Sequence, residues 1–225
     1  MTTQSRVPFP VRLLSAALVA AIVLAGIWVT GGLLTNDFEL AMALTAAWIA
    51  FAGLVCALIA WRRRDLRWPV LGAFVVTAAV VGVYLGRSQL VDDVVDERVV
   101  RAAPAAEGST VARNVLLARG AFAPVAHSAE GTASAIRTRA GARVLTLTRF
   151  SVDNGPDLRV YLVEGPARSE AEVKRFEDLG ALKGNKGDQQ YALPRGVDLR
   201  RYSTVVIWCR AFSVEFARAP LVSAR

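Results

Sequence analysis

Three apolar stretches without a charged residue constrain this chain most: residues 13–36, 40–61 and 68–86. They contain 24, 22 and 19 residues, and a helix needs about 20 residues to cross the hydrocarbon core of a bilayer. Each must be helical within lipid, because every backbone amide there needs a partner in its own segment. None contains Asp, Glu, Lys, Arg or His, the usual marks of an ion pathway. The sequence therefore predicts a three-span membrane anchor over residues 1–86, with the lipid bilayer as a partner.

The arginines between the spans predict how this anchor is oriented. Four arginines lie between residues 61 and 68, whereas the connection between the first two spans carries acidic residues and no positive charge. The positive-inside rule places the arginine-rich connection and the N-terminus in the cytoplasm. We therefore expect a multi-pass protein of the plasma (inner) membrane with an extracytoplasmic C-terminal domain. The first span fits a signal-anchor better than a cleaved signal peptide, because no clear small-residue cleavage site ends it.

Charge is distributed unevenly along the chain. Residues 1–109 hold 9 Lys+Arg and 8 Asp+Glu, and residues 110–225 hold 18 and 11, so the net charge is +1 in the first part and +7 in the second. A basic domain outside the cell attracts anionic headgroups or an anionic surface polymer, whereas nucleic acid is not an expected partner there. Arginine outnumbers lysine by 24 to 3, a bias typical of GC-rich bacterial genomes.

Residues 87–117 form a membrane-proximal connector. Near its start, four carboxylates alternate with aliphatic residues, which predicts that the third helix continues beyond the membrane with a solvated acidic face. A calcium site is the alternative, but the spacing lacks the oxygen-dense loop that calcium prefers. The Ala, Pro, Gly and Ser residues of 102–109 then favour a break and a linker. The carboxylates are those of Asp92, Asp93, Asp96 and Glu97.

The hydrophobic period changes towards two after Gly120, which is typical of β-strands. Short apolar segments are separated by Gly-, Asn- and Pro-bearing turns, of which residues 153–157 and 183–188 are the clearest. Residues 118–225 are therefore expected to form an all-β sandwich or barrel, with one helix at Ser169–Phe176. The expected strands are residues 119–124, 132–138, 143–150, 158–163, 187–193, 203–209 and 212–217.

This β domain contains a single cysteine, Cys209, and cannot form a disulfide of its own. An unpaired thiol is unusual in the oxidising compartment outside a plasma membrane. Two interpretations are open. Alternation along Val205–Cys209 favours an inert side chain packed in the core, whereas the neighbouring Arg210 would lower the thiol pKa if its charge pointed to the same side.

His127 is the one histidine of the chain. A loop histidine is commonly hydrogen-bonded or solvated, but beside Cys209 it would complete an imidazole–thiolate pair suited to copper, zinc or haem iron. Two ligands do not make a metal site, so no metal is predicted. Polar turn residues are further ligand candidates, and the oxygens of all of them except Asn185 make calcium a third interpretation. These residues are Asp153, Asn154, Asp157, Asn185 and Asp188.

Residues 118–222 resemble the DM-thirteen domain. The similarity rests on Phe150–Leu162 with its NGPD turn, on Asp178–Gln189 with LKGNKGDQ, and on Val205–Cys209. The resemblance implies a small all-β extracytoplasmic domain with a role in electron transfer. It also implies that Cys209 acts as a bare thiol or holds a prosthetic group such as haem, and it leaves the identity of any cofactor unknown.

Two functions follow as hypotheses. In the first, the chain is a membrane-anchored redox module in which Cys209 is a redox thiol or cofactor ligand, His127 is a second contributor, and an extracytoplasmic partner exchanges electrons with them. In the second, it is a non-catalytic cell-surface binding or adhesion module whose turns recognise a ligand. Neither motif nor composition decides whether the protein is an enzyme. A sulfur sealed in the core, away from the imidazole, would count against the first hypothesis.

Overall fold

A computed structural model describes residues 8–35, 37–102, 113–167, 169 and 172–224, with the backbone alone at 88–90. The chain divides into two compact units, Met1–Arg87 and Ser88–Arg225. The N-terminal Arg6 and nearly all of the predicted linker at residues 102–109 lie outside the described residues. The two units are therefore described separately.

The first unit consists of three long apolar helices. Helix α1 spans Phe9–Gly32, α2 spans Phe38–Arg62, and α3 spans Arg67–Leu90. The most apolar windows of the three have mean hydropathies of 2.4, 2.3 and 2.0. All three are long and apolar enough to cross a bilayer. The predicted helical architecture is confirmed, and it is compatible with a multi-pass membrane protein.

Helices α1 and α2 pack against each other through polar as well as apolar groups. The indole N–H of Trp48 donates to the carbonyl of Val23 at 3.2 Å, and the hydroxyls of Thr30 and Thr45 lie 3.2 Å apart. Polar groups inside a bilayer need partners within the protein. These contacts therefore favour a fixed pairing of the first two helices over three independent anchors.

Ten strands, counted over the described residues, form the second unit. They are β1 Val115–Ala121, β2 Ala123–Pro124, β3 Ala129–Arg137, β4 Arg143–Val152, β5 Leu158–Glu164, β6 Phe176–Ala181, β7 Gln189–Ala192, β8 Tyr202–Cys209, β9 Val214–Pro220 and β10 Val222–Ser223. One antiparallel sheet has the order β10-β1-β3-β4-β7 and the other has the order β2-β9-β8-β5-β6. This two-sheet fold confirms the predicted all-β class.

The segment Ser169–Phe176 was expected to be helical, and that prediction is wrong. Its described residues form a single turn, and Phe176 begins β6. The ring of Phe176 stacks on Tyr161 with centroids 4.1 Å apart, while its backbone pairs with Val163. Val173 packs on the same apolar cluster. Contacts with the outer face of β5 therefore override the local helix propensity, which is a weak determinant by itself.

The acidic connector is also not helical beyond Leu90. Residues 91–102, which we call the strap, are extended, and the amide of Val95 donates to the carbonyl of Lys186 at 2.9 Å. Val99 is buried. The prediction of a longer helix with a solvated acidic face is therefore wrong, because the strap backbone finds partners in the β domain. The second compact unit accordingly begins at Ser88.

Candidate functional site

Cys209 is the last residue of β8 and is fully buried. Its side chain lies on the same face of the strand as Val205 and Ile207, which are also fully buried. The thiol donates to the carbonyl oxygen of Pro156, with Sγ and O 3.0 Å apart. Because Pro156 belongs to the turn between β4 and β5, this turn covers the sulfur.

The surroundings of Cys209 keep its thiol protonated. Burial raises the pKa of Cys209 to about 12, although hydrogen bonds from the amides of Phe212 and Ala211 act in the opposite direction. Arg210 does not lower this pKa, because its guanidinium pairs with Asp157, with Nε and Oδ2 2.6 Å apart. The thiolate is the form that attacks electrophiles and binds metals. In this conformation Cys209 is therefore a poor nucleophile.

Three hydrogen bonds fasten the turn over the sulfur. Besides the contact with Pro156, the amide of Arg210 donates to the carbonyl of Asp157 at 3.1 Å, and the Arg210 side chain pairs with the Asp157 carboxylate. Asp157 has a φ of 54°, a left-handed conformation that Asp and Asn tolerate better than most residues. Movement of this turn away from the sulfur would break all three contacts.

We expect the second unit to lose stability at alkaline pH, because burial also raises the pKa of Tyr191 to about 12. An acid whose pKa is raised by folding stabilises the fold while it stays protonated. Cys209 and Tyr191 therefore make their full contributions to the free energy of unfolding below pH 9, and these contributions are lost as the pH rises through 12. Urea midpoints measured in detergent at pH 8 and 11 should fall less in Tyr191→Phe than in the half-exposed control Tyr202→Phe. Equal decreases of the urea midpoint in the two variants would contradict the assignment of this pH dependence to Tyr191.

His127 lines a different site, a polar cleft of about 430 Å³. Its Nδ1 lies 3.5 Å from Oδ2 of Asp153, and its ring centroid lies 3.9 Å from that of Phe216. Cys209 does not line this cleft. The structure therefore brings His127 together with three of the predicted turn residues and not with the sulfur. The lining residues are Asp92, His127, Ser151, Val152, Asp153, Asn154, Asn185 and Lys186.

The carboxylate of Asp92 is held at the polar cleft by three side chains. Its Oδ1 accepts hydrogen bonds from Nδ2 of Asn185 at 2.8 Å and of Asn154 at 3.1 Å, and Oδ2 pairs with the ammonium of Lys186. The hydrogen bond from Lys186 is the largest of the causes that lower the pKa of Asp92. From the sequence, Asp92 was expected on a solvated helix face, and Lys186 was not singled out as a site residue. The sequence feature that could have indicated this contact is the acidic segment 92–97 of the connector, whose charge complements the lysines of the turn at residues 183–186.

The other two predicted turn residues stabilise turns outside this cleft. Asp157 pairs with Arg210, and Oδ1 of Asp188 accepts the amide of Arg149 at 2.7 Å. Across the part of the chain that the structure describes, no three His, Cys, Asp or Glu side chains are grouped so that they could hold a metal ion. The structure also separates the residues of the calcium interpretation, because Asp153 and Asn154 line the cleft whereas Asp157 and Asp188 do not.

The described residues around Cys209 do not fit a haem or a similar prosthetic group. A thiolate ligand must be deprotonated, whereas the Cys209 thiol is protonated and donates to Pro156. A macrocycle also needs an open face beside its ligand, and the sulfur is fully buried.

The β domain matches a known family. Residues 121–221 match the family model described as Electron transfer DM13, which confirms the resemblance found in the sequence. The matched segment runs from the end of β1 to the residue before β10 and contains neither the three helices nor the strap. Neither the curated proteins nor the solved structures gave a significant match.

Proposed function

We propose that this protein is a membrane-anchored electron-transfer module whose β domain works on the extracytoplasmic side of the plasma membrane. The match of residues 121–221 to Electron transfer DM13 carries this proposal. Three helices able to span a bilayer precede that segment and supply the anchor. The arginine-rich connection between α2 and α3 supports a cytoplasmic N-terminus and an outer β domain.

The complete burial of Cys209 and the placement of His127 in another cleft count against a redox role in the closed conformation. Within this proposal Cys209 is therefore the redox residue only after the turn that covers it has opened. It is the one cysteine of the matched segment. Its burial protects the reduced thiol from adventitious oxidation, because susceptibility follows thiolate character and exposure. Opening to water would return the thiol pKa towards its ordinary value and make the sulfur available to a redox partner. The contacts of His127 support a role in the polar cleft instead of one beside the sulfur.

A redox titration of the full-length protein in detergent tests this function. The wild type and Cys56→Ser are expected to react with glutathione disulfide: the Cys209 thiolate forms a mixed disulfide, one glutathione leaves as the thiol, and an added dithiol reverses the step. Cys56 is not required, because it lies in a membrane helix outside the matched segment. Cys209→Ala is expected to lose the response. If the wild type exchanges no electrons, the electron-transfer proposal is wrong. If Cys209→Ala keeps the response, the assignment to Cys209 alone is wrong.

Loosening the cover should make Cys209 react faster. Asp157→Asn removes the carboxylate from a partly exposed ion pair with Arg210. Such a pair contributes up to about 1 kcal/mol to holding the turn closed. Alkylation of Cys209, measured in the Cys56→Ser background, is therefore expected to be about fivefold faster. Asparagine also tolerates the positive φ of this position. The matched control is Asp178→Asn, which breaks the 2.7 Å pair with Arg159 between β5 and β6. Equal rates of Cys209 alkylation in the two variants would contradict the claim that this turn limits access to the sulfur.

A further inference from the structure

The strap lies against the turn at residues 183–190 as an added extended segment. The amide of Val95 donates to the carbonyl of Lys186 at 2.9 Å, and the Lys186 amide returns a bond to the carbonyl of Asp93 at 3.3 Å. These bonds form a parallel bridge between Val94 and Lys186. Proteins that recognise extended peptides use the same arrangement, in which main-chain hydrogen bonds hold the peptide and pockets for its side chains select it.

Two carboxylates, five positions apart in the strap, are each received by groups of the β domain. Asp92 enters the polar cleft described above. Glu97 pairs through Oε1 with the ammonium of Lys183 at 2.7 Å, and its Oε2 accepts the amide of Gln190 at 2.9 Å. The turn therefore carries two carboxylate-binding points joined by a stretch of main-chain pairing. We call this surface of residues 183–190 together with Asn154 the strap groove.

Two glycines leave room for a backbone in the strap groove. A Cβ at Gly187 would collide with the carbonyl oxygen of Val95, and a Cβ at Gly184 would collide with that of Asp93. Gly187 also has a φ of +100°, which L side chains rarely adopt. The side-chain-free floor of the groove therefore fits an extended main chain lying directly on it.

Little of the apolar surface of the strap is buried. Val94 is 69% exposed, and of the strap's aliphatic side chains only Val99 is buried. The Asp92 and Lys186 side chains are 44% and 45% exposed, and solvent-exposed ion pairs stabilise a fold weakly. The strap is thus held by polar contacts that an equivalent segment could replace.

The groove and the strap also differ in their relation to the family match. Asn154 and residues 183–190 lie within the matched segment 121–221, whereas the strap lies outside it. The groove is therefore part of the domain that the family defines, and the strap is an addition of the preceding connector.

We propose that the strap groove is a recognition site for an extended acidic segment of a partner protein, with two carboxylates five positions apart. The strap occupies this site within the same chain until such a segment displaces it. The ligand class is set by the two ammonium groups, the two asparagine amides and the main-chain pairing. This inference goes beyond electron transfer and holds whether or not the domain carries electrons.

Loosening the strap without altering the groove tests the proposal. The probe is a fluorescent peptide with the sequence of residues 90–102, added to full-length protein in detergent. The double variant Asp92→Asn, Glu97→Gln is expected to bind the peptide at least about tenfold more tightly than the wild type does, because its own strap competes less well. A peptide that carries the same two substitutions is expected to bind about tenfold more weakly than the unaltered peptide.

Groove variants and hydrogen exchange make the test decisive. In the loosened background, Lys183→Met with Lys186→Met should abolish peptide binding, whereas Lys174→Met, outside the groove, should leave it unchanged. The amides of Val95 and Glu97 should exchange faster in the loosened protein than in the wild type. The proposal would be overturned if these amides stayed protected from exchange in the loosened protein. It would also be overturned if Lys183→Met with Lys186→Met left peptide binding unchanged. An absence of peptide binding once the amides are unprotected would overturn it as well.

Discussion

Replacing Arg218 with methionine is expected to lower the free energy of unfolding of the β domain by about 3–5 kcal/mol, because the change strips a buried carboxylate of its guanidinium. Arg218 donates to both carboxylate oxygens of Glu215, at 2.7 and 2.6 Å. Glu215 is fully buried, and the Arg218 side chain is only 14% exposed. The loss should be far larger than that for an exposed ion pair.

A bulge in β9 creates this ion pair. Side chains at positions i and i+3 of a regular strand lie on opposite faces. Here Trp208 pairs with Glu215 while the preceding Ile207 pairs with Ala217, so β9 contains one extra residue. The extra residue turns Glu215 and Arg218 to the same face of the sheet. The pair therefore depends on the register of β8 and β9 as well as on the two side chains.

Urea unfolding followed by tryptophan fluorescence measures this loss. The double variant Glu215→Gln, Arg218→Met should recover a large part of it, because a neutral amide costs less to bury than a carboxylate. Arg159→Met is the matched control, since its partner Asp178 is partly exposed, and it should cost no more than about 1 kcal/mol. If Arg218→Met lowers the free energy of unfolding by no more than this control does, the buried ion pair does not stabilise the β domain as proposed.

Local patterns in the sequence were enough to predict the classes of structure. The charge-free runs predicted three helices, because length and lack of charge decide whether a helix can span a membrane. The period of two after Gly120 predicted the strands of the core. Both features depend on residues close together in the chain. The two failures, at Ser169–Phe176 and at the strap, arose where contacts with distant residues decide the conformation.

The candidate site was less predictable for the same physical reason. The alternation of side chains along Val205–Cys209 favoured a buried Cys209, and Cys209 is buried in the structure. No local pattern could say that His127 lines another cleft or that Asp92 reaches Lys186, 94 positions further along the chain. The predicted contact of the basic domain with an anionic surface polymer stays a prediction.

Truncating Phe216 to alanine is expected to destabilise the β domain by about 3–5 kcal/mol, as large-to-small changes of buried aromatic residues do. The Phe216 side chain is fully buried. Its ring contacts His127 and packs against the backbone of Gly155, which precedes the proline that covers Cys209. A cavity at this position should therefore loosen the cover over the sulfur as well as lower global stability.

A second core variant separates these two effects. Phe150→Ala also removes a buried ring, one whose contact is with Phe122 at a centroid distance of 5.0 Å, so it should cost a similar free energy of unfolding. Alkylation of Cys209 in the Cys56→Ser background should be faster in Phe216→Ala than in Phe150→Ala after correction for global stability. Equal corrected rates would mean that Cys209 becomes accessible only through global unfolding, which would count against a redox role in the folded domain.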